Sequence, residues 1–449
     1  MSALCSSFFF TNNTAQAEDW PQWFGPNRQG VWNETGILDK FPKEGPRKLW
    51  EVAVGGGYAG PATAKGKVYI TDRVLDQGVA DHANLFSRTN SKGKERLICF
   101  SQESGKTIWE FSYPCHYTMS YPCGPRCTPA IQGNRVIFLG AMGDINCLDA
   151  ATGKLIWNKS FPKDYQAPIP VWGFASHPLI YQGMVITLVG PKKVAVAFDL
   201  ETGVEKWSAL TLQNPAAEIG YAPPMVFDFA GKKTLVIWHS ESVNGLDPAS
   251  GNALWTYPFR LKANLSIPTP RAVGNHLLLS SFYNGSVLLE ITENQPKVIW
   301  KSNGRGEQPG QTDSLHAIMS TPIIQGEYFY GVCSYGQLRC LRLENGKRVW
   351  EDLTATGSQK EPVERWANAF LIPHGDRFFL FNEKGDLLIS RLTPEGYKEI
   401  DRAHLIEPTG VAPAGGVNRK IVWSHPAFSQ GHIFVRNDKK LVCFSLKKE

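Results

Sequence analysis

Several polar and aromatic side chains stand just ahead of a repeated proline-marked segment, and they are the residues that could do chemistry. They are Tyr58, Arg126, Trp172 with His177, Glu218 with Tyr221, His316, Arg365 with Trp366, and Trp423 with His425. Aromatic planes beside arginine and histidine suit a ligand that is anionic, planar or sugar-like. Two readings stand side by side: these groups fill the channel and hydrogen-bond water and backbone, or Arg126, Glu218, His316 and Arg365 with the flanking Trp and Tyr form one ligand pocket. A histidine and a carboxylate in the same set could in principle exchange a proton, but no nucleophile motif accompanies them. Binding is therefore the chemistry these residues point to. His177 and His425 hold equivalent places in their repeats and are expected at the same level.

The elements that must position these groups are repeats. Leu148-Asp149-Ala150-Ala151-Thr152-Gly153-Lys154-Leu155-Ile156-Trp157 has relatives ending at Trp109, Trp207, Trp255 and Trp350, a looser copy at Trp300, and a degenerate one at Thr393-Pro394-Glu395-Gly396-Tyr397. With the isolated Lys48-Leu49-Trp50, the tryptophans recur about every 48 residues, the period of a four-stranded propeller blade. Each unit breaks into short β-rich runs divided by glycine turns, and its turn glycine stands where positive φ is needed. A second marker precedes each unit: Pro61, Pro129, Pro178, Pro224, Pro270, Pro322 and Pro426. Proline suits the start of a strand, here the innermost one lining a central channel. With a degenerate unit near Ala369-Phe370, the count is eight. The last unit lacks a tryptophan strand, and Trp50 lacks the rest of a blade. Residues 48–54 are thus expected to close the ring, which removes the exposed strand edges. The fold class predicted is all-β, an eight-bladed propeller of four-stranded antiparallel blades over 48–449. The interval from Trp50 to Trp109 is the longest, and the extra residues within 72–96 form a loop on one face.

Composition agrees and excludes other classes. The chain has 449 residues, 42% hydrophobic and 20% charged, with 14 Trp. That is too apolar for disorder. No apolar run approaches the ~20 residues of a membrane-spanning helix. The net charge of +6 is scattered, and Lys439, Lys440, Lys447 and Lys448 read as solvated surface, so nucleic acid is not an expected partner. Leu4 and Phe8-Phe9-Phe10, then Ala15-Gln16-Ala17, read as a signal peptide over 1–17, with an N-terminal extension over 18–47. Cys5 lacks the setting of a lipid-anchored cysteine. The expected location is periplasmic or secreted. Cys99, Cys147, Cys340 and Cys443 recur at one strand position and read as core. Cys115, Cys123 and Cys127 crowd one loop, where a disulfide is expected with Cys115 and Cys123 as the candidate pair; a metal site using His116 and free thiols are the alternatives.

The Leu-Asp-Ala-Ala-Thr-Gly-Lys-Leu-Ile-Trp unit resembles the tryptophan-docking repeat of pyrroloquinoline-quinone (PQQ) propellers. These include quinoprotein alcohol dehydrogenases and the B-type lipoprotein of the outer-membrane barrel-assembly machinery. The resemblance spans about 48–446. The leader Asp19-Trp20-Pro21-Gln22-Trp23-Phe24-Gly25-Pro26-Asn27-Arg28 is similar to the opening of exported PQQ-like repeat proteins. The dehydrogenases carry adjacent cysteines facing the quinone, and this chain has no Cys-Cys pair; nor does it have a Cys-x-x-Cys-His haem signature or a placeable calcium set. The resemblance therefore implies first an exported, non-catalytic binding or scaffolding module, with envelope assembly as its candidate setting, monomeric and needing no cofactor. Its partner would be a protein, a small molecule or a glycan. The alternative is a periplasmic oxidoreductase using PQQ and calcium.

Overall fold

The computed structural model describes all residues except 1–17, 82, 294, 305, 359–363, 415–416 and 449. The proposed signal peptide lies outside the described residues. Eight four-stranded antiparallel sheets follow one another around a ring. Blade two shows the plan: an inner strand Ala130–Gln132, then Arg135–Leu139, Asp144–Asp149, and an outer strand Leu155–Ser160. Seven inner strands begin on the residue after the marker proline, for example Ala62–Ala64, Leu179–Tyr181 and Ala427–Ser429. Blade seven opens with Ala369–His374 and has no such proline. The ring closes as expected. Lys48–Ala53 pairs with Lys440–Ser445, Trp50 opposite Cys443 and Ala53 opposite Lys440, and so completes blade eight.

The repeat residues hold neighbouring blades together. Each docking tryptophan lies on an outer strand, and the indole N–H of all but Trp255, which is buried without a partner among the described residues, donates to a carbonyl of the next blade. Trp50 reaches Gln102 (2.9 Å), Trp157 reaches Leu200 (2.9 Å), and Trp300 reaches Leu343 (2.7 Å). The turn glycine of that next blade lies flat on the indole. Gly203 sits at φ +70°, and a Cβ built on it would stand 2.6 Å from Trp157 Cδ2. The glycine therefore answers two demands, a left-handed backbone and a close approach to the ring. Asp149 fixes the same kind of turn, accepting from Ala151 N, Thr152 N and Thr152 Oγ1 at 2.8 to 3.0 Å. Gly203→Ala should accordingly cost about 2–4 kcal/mol, from left-handed strain plus the clash with Trp157. Equilibrium unfolding in urea measures it, and an unchanged midpoint would contradict this reading of the repeat.

Burial agrees with the core reading of the third-strand cysteines: Cys99, Cys147, Cys340 and Cys443 are fully buried. The loop cysteines correct the disulfide expectation. Cys115, Cys123 and Cys127 are all free thiols. Their surroundings hold them apart: Cys115 packs with Tyr117 and Met119, Cys123 Sγ lies 3.0 Å from Asp438 Oδ1, and Cys127 Sγ faces the Ser176 carbonyl at 3.4 Å. Burial raises all three thiol pKa values, so none is a reactive thiolate.

Two features were not foreseen. A hairpin, Gly410–Ala414 with Val417–Ile421, stands between blades seven and eight. The segment 18–34 enters the channel and plugs it. Among the described residues no helix is long and apolar enough to cross a membrane.

Candidate functional site

The plug is built from the aromatic leader. Trp20 pairs with Thr63 of blade one, its N–H donating to Thr63 Oγ1 (2.8 Å) while Thr63 N–H donates to its carbonyl (2.8 Å). Ile131 N–H of blade two donates to the Pro21 carbonyl (2.8 Å), and Trp23 Nε1 donates to Thr269 Oγ1 beside blade five (2.9 Å). Trp32 N–H donates to the Pro373 carbonyl of blade seven (3.0 Å), and Glu34 takes Gln430 N–H of blade eight (2.6 Å). Trp20 and Trp32 are fully buried. Burying three indoles against blades all round the ring offsets the entropy of ordering an otherwise loose leader. The channel is thus closed at its floor.

Above the floor is a cavity of about 330 Å³. Trp23 forms its base, stacked on His177 with ring centres 3.9 Å apart and interplanar angle 13°, and tilted against His425 at 5.0 Å. The two histidines do share one level. The loops leading into the inner strands supply the walls: Tyr58, Tyr121, Arg126, Trp172, Tyr221, Arg365, Trp366 and Trp423. Of the residues singled out in the sequence, Tyr58, Arg126, Trp172, His177, Tyr221, Arg365, Trp366, Trp423 and His425 line this one cavity.

Glu218 and His316 do not, which corrects the expected polar quartet. Glu218 stands behind the wall, taking Tyr221 OH at 2.6 Å and Val171 N–H at 2.9 Å, and so orients Tyr221. His316 is wholly buried beneath Phe282, its Nδ1 3.1 Å from the Phe282 carbonyl, and burial lowers its pKa. It supports the loop that brings Phe282 and Tyr283 to the cavity. Sequence reasoning missed those two rings, Phe370, Phe86 and Trp23. Phe86 comes from the long blade-one loop between Lys67–Leu75 and Gly93–Ser101; half-exposed, it overhangs the mouth, 5.5 Å from the Tyr121 ring and 6.0 Å from Trp366. For Trp23 a signal was present: three large aromatics within five residues do not suit a solvated tail.

The arginines of the wall are held by backbone carbonyls, by a carboxylate behind the wall and by aromatic faces. Arg126 donates to backbone carbonyls of Trp172 (3.0 Å), Ser120 (3.2 Å) and Gly124, while its guanidinium lies 5.1 Å over the Tyr58 ring. Arg365 donates to Glu307 Oε1 (2.8 Å) and Tyr283 OH (3.1 Å) and lies 4.7 Å over Trp366; its Nε is buried without a partner. Arg419, on the hairpin, backs this side through Glu383 (2.6 Å), which also takes Trp423 Nε1 (2.9 Å). Burial pulls the His425 pKa down to about 3 and the His177 pKa well below the usual range, so both imidazoles are neutral at pH 7. Burial raises the pKa of Tyr58 and Tyr221, so neither phenol ionises at neutral pH. Among the described residues the lining holds no Ser, Cys, Lys, Asp or Glu.

With this geometry in hand, comparison with known proteins places the chain. Residues 93–352, more than half the chain, match the sequence profile of the family described as outer membrane protein assembly factor BamB, a PQQ-type repeat family. The chain belongs to that family. Among solved structures, BamB from Moraxella catarrhalis aligns with TM-score 0.56 and 14% identity, over 90% of this chain and 98% of that one. A quinohemoprotein alcohol dehydrogenase from Comamonas testosteroni aligns with TM-score 0.59 and 13% identity, over 98% and 82%. A europium-containing methanol dehydrogenase gives TM-score 0.59 and 12% identity, over 93% and 89%. At these identities the likeness is one of fold. No curated protein sequence matches.

Because BamB-type and quinoprotein propellers share this fold, the cavity can be tested for a calcium-held quinone. Flat rings are present, but a hard divalent cation needs several oxygen ligands, carboxylates foremost. The lining offers guanidinium and neutral imidazole instead, and among the described residues no three His, Cys, Asp or Glu side chains converge as a metal site. These residues do not fit calcium.

Proposed function

We propose that the protein is an exported, non-catalytic binding propeller of the cell envelope, and that its ligand sits in the plugged cavity at the channel mouth. One observation carries this reading: the cavity is walled by stacked aromatic rings and guanidinium groups, and its described lining contains neither nucleophile nor carboxylate. Such a surface holds a flat ring by its faces and an acidic group by its edge, and it has no group to transfer or accept a proton at neutral pH. The cavity volume is that of a small-ligand pocket. The Ala15-Gln16-Ala17 pattern and the description of its family as an assembly factor of the outer membrane support export and a role in binding other envelope components.

The ligand class is a ring-bearing acid, either planar and aromatic or sugar-like. Titrating the protein with indole-3-acetate and with digalacturonate, followed by tryptophan fluorescence, tests it. Saturable binding of one probe is expected, weakened about tenfold by Trp172→Ala, the loss of one stacking contact. Which probe binds separates the aromatic from the sugar source. Absence of binding by both at millimolar concentration would overturn the reading.

A further inference from the structure

Two arginines meet at the channel floor with no acid beside them. Arg28 belongs to the plug and is 3% exposed; Arg271 opens the inner strand Arg271–Val273 of blade five and is 7% exposed. Arg28 Nη1 donates to the Pro178 carbonyl (2.8 Å) and Gln22 Oε1 (3.2 Å), and its Nη2 to the His177 carbonyl (3.1 Å). Arg271 Nε donates to the Pro322 carbonyl (3.1 Å), and its Nη1 to the carbonyl of Arg28 itself (3.0 Å). Its guanidinium lies 4.9 Å over the Phe24 ring.

On each side chain one nitrogen is left with no partner at all among the described residues. Arg28 Nε and Arg271 Nη2 are buried and have no partner among the described residues. Burial pulls both pKa values down to about 9, and Arg271 repels Arg28, yet both stay protonated at pH 7. Carbonyl dipoles take four of the N–H groups but supply no countercharge. Two buried cations without an anion are a costly arrangement, and the cost falls steeply once a negative ion is shared between them. The surroundings limit its size, because plug and inner strands pack directly against both guanidiniums.

We propose that a small monovalent anion of the chloride class binds at the channel floor between Arg28 Nε and Arg271 Nη2. It ties the plug to blade five and is separate from the ligand cavity above Trp23. The full chain supplies the test. Thermal unfolding in sodium chloride and in sodium gluconate, at equal ionic strength, should give a Tm higher by roughly 2–4 °C in chloride. Arg271→Gln should abolish that difference whatever it does to the Tm itself. Should that variant fail to fold, crystals of the unaltered protein grown in bromide should show one anomalous peak bridging the two guanidiniums. Equal Tm in the two salts, or only water between the arginines in the bromide crystal, would overturn the proposal.

Discussion

Trp23→Ala is expected to lower stability by about 3 kcal/mol, within the usual range for removing a large aromatic from a packed site. It should also weaken ligand binding more than any single wall substitution. The indole stacks on His177, touches His425 and bonds Thr269, and it contacts Phe24 of the plug at 4.5 Å, so three separate parts of the ring lose a neighbour at once. Its face is also the floor of the cavity, so truncation removes a stacking surface and deepens the pocket towards the plug. Urea unfolding and the fluorescence titration read the two effects separately. Trp23→Phe keeps a ring and loses the bond to Thr269, and should recover most of the binding. Wild-type stability in Trp23→Ala would mean that the leader does not plug the channel.

The second large effect is acid sensitivity. His425 has a folded pKa of about 3 against an ordinary 6.5, and His177 is shifted the same way, both first by burial. The folded state keeps these imidazoles neutral, while the unfolded chain takes up protons as the pH drops below 6.5. Stability is therefore complete above 6.5 and is lost as pH falls through it. His425 alone accounts for about 2 kcal/mol between pH 7 and pH 5. Glu95, Asp144 and Glu383 have pKa values raised by burial and act in the opposite sense, since protonating them as pH falls relieves a buried charge. Denaturant midpoints at pH 7, 6 and 5 should fall in order. His425→Gln should flatten the slope, even though lost packing lowers every midpoint. A constant midpoint from pH 7 to 5 would contradict the neutral, buried assignment.

The ring was legible because its repeat residues each answer a local demand. A glycine lies on five of the docking tryptophans, a proline opens an inner strand, and an unpaired Lys48-Leu49-Trp50 must find a blade. Most of the cavity wall was legible for the same reason, since the loop before each inner strand has a fixed place in a propeller. What sequence could not give was direction. Glu218 and His316 occupy the same kind of loop as Tyr221 and Arg365, yet they point behind the wall, where Tyr221 and Phe282 need support. Cys115 and Cys123 are close along the chain, but their sulfurs enter different packing environments. The plug was hidden because its partners, from Thr63 to Gln430, are spread over almost the whole sequence.

Calorimetric titration with PQQ, once in calcium and once in EDTA, followed by a dye-linked alcohol oxidation assay on the same samples, separates a binding cavity from a quinone enzyme. A cavity lined by rings and guanidiniums, with no carboxylate among its described lining residues to hold the metal, predicts the same heat in both buffers and no alcohol-dependent dye reduction. Tight binding that requires calcium, together with dye reduction, would contradict it.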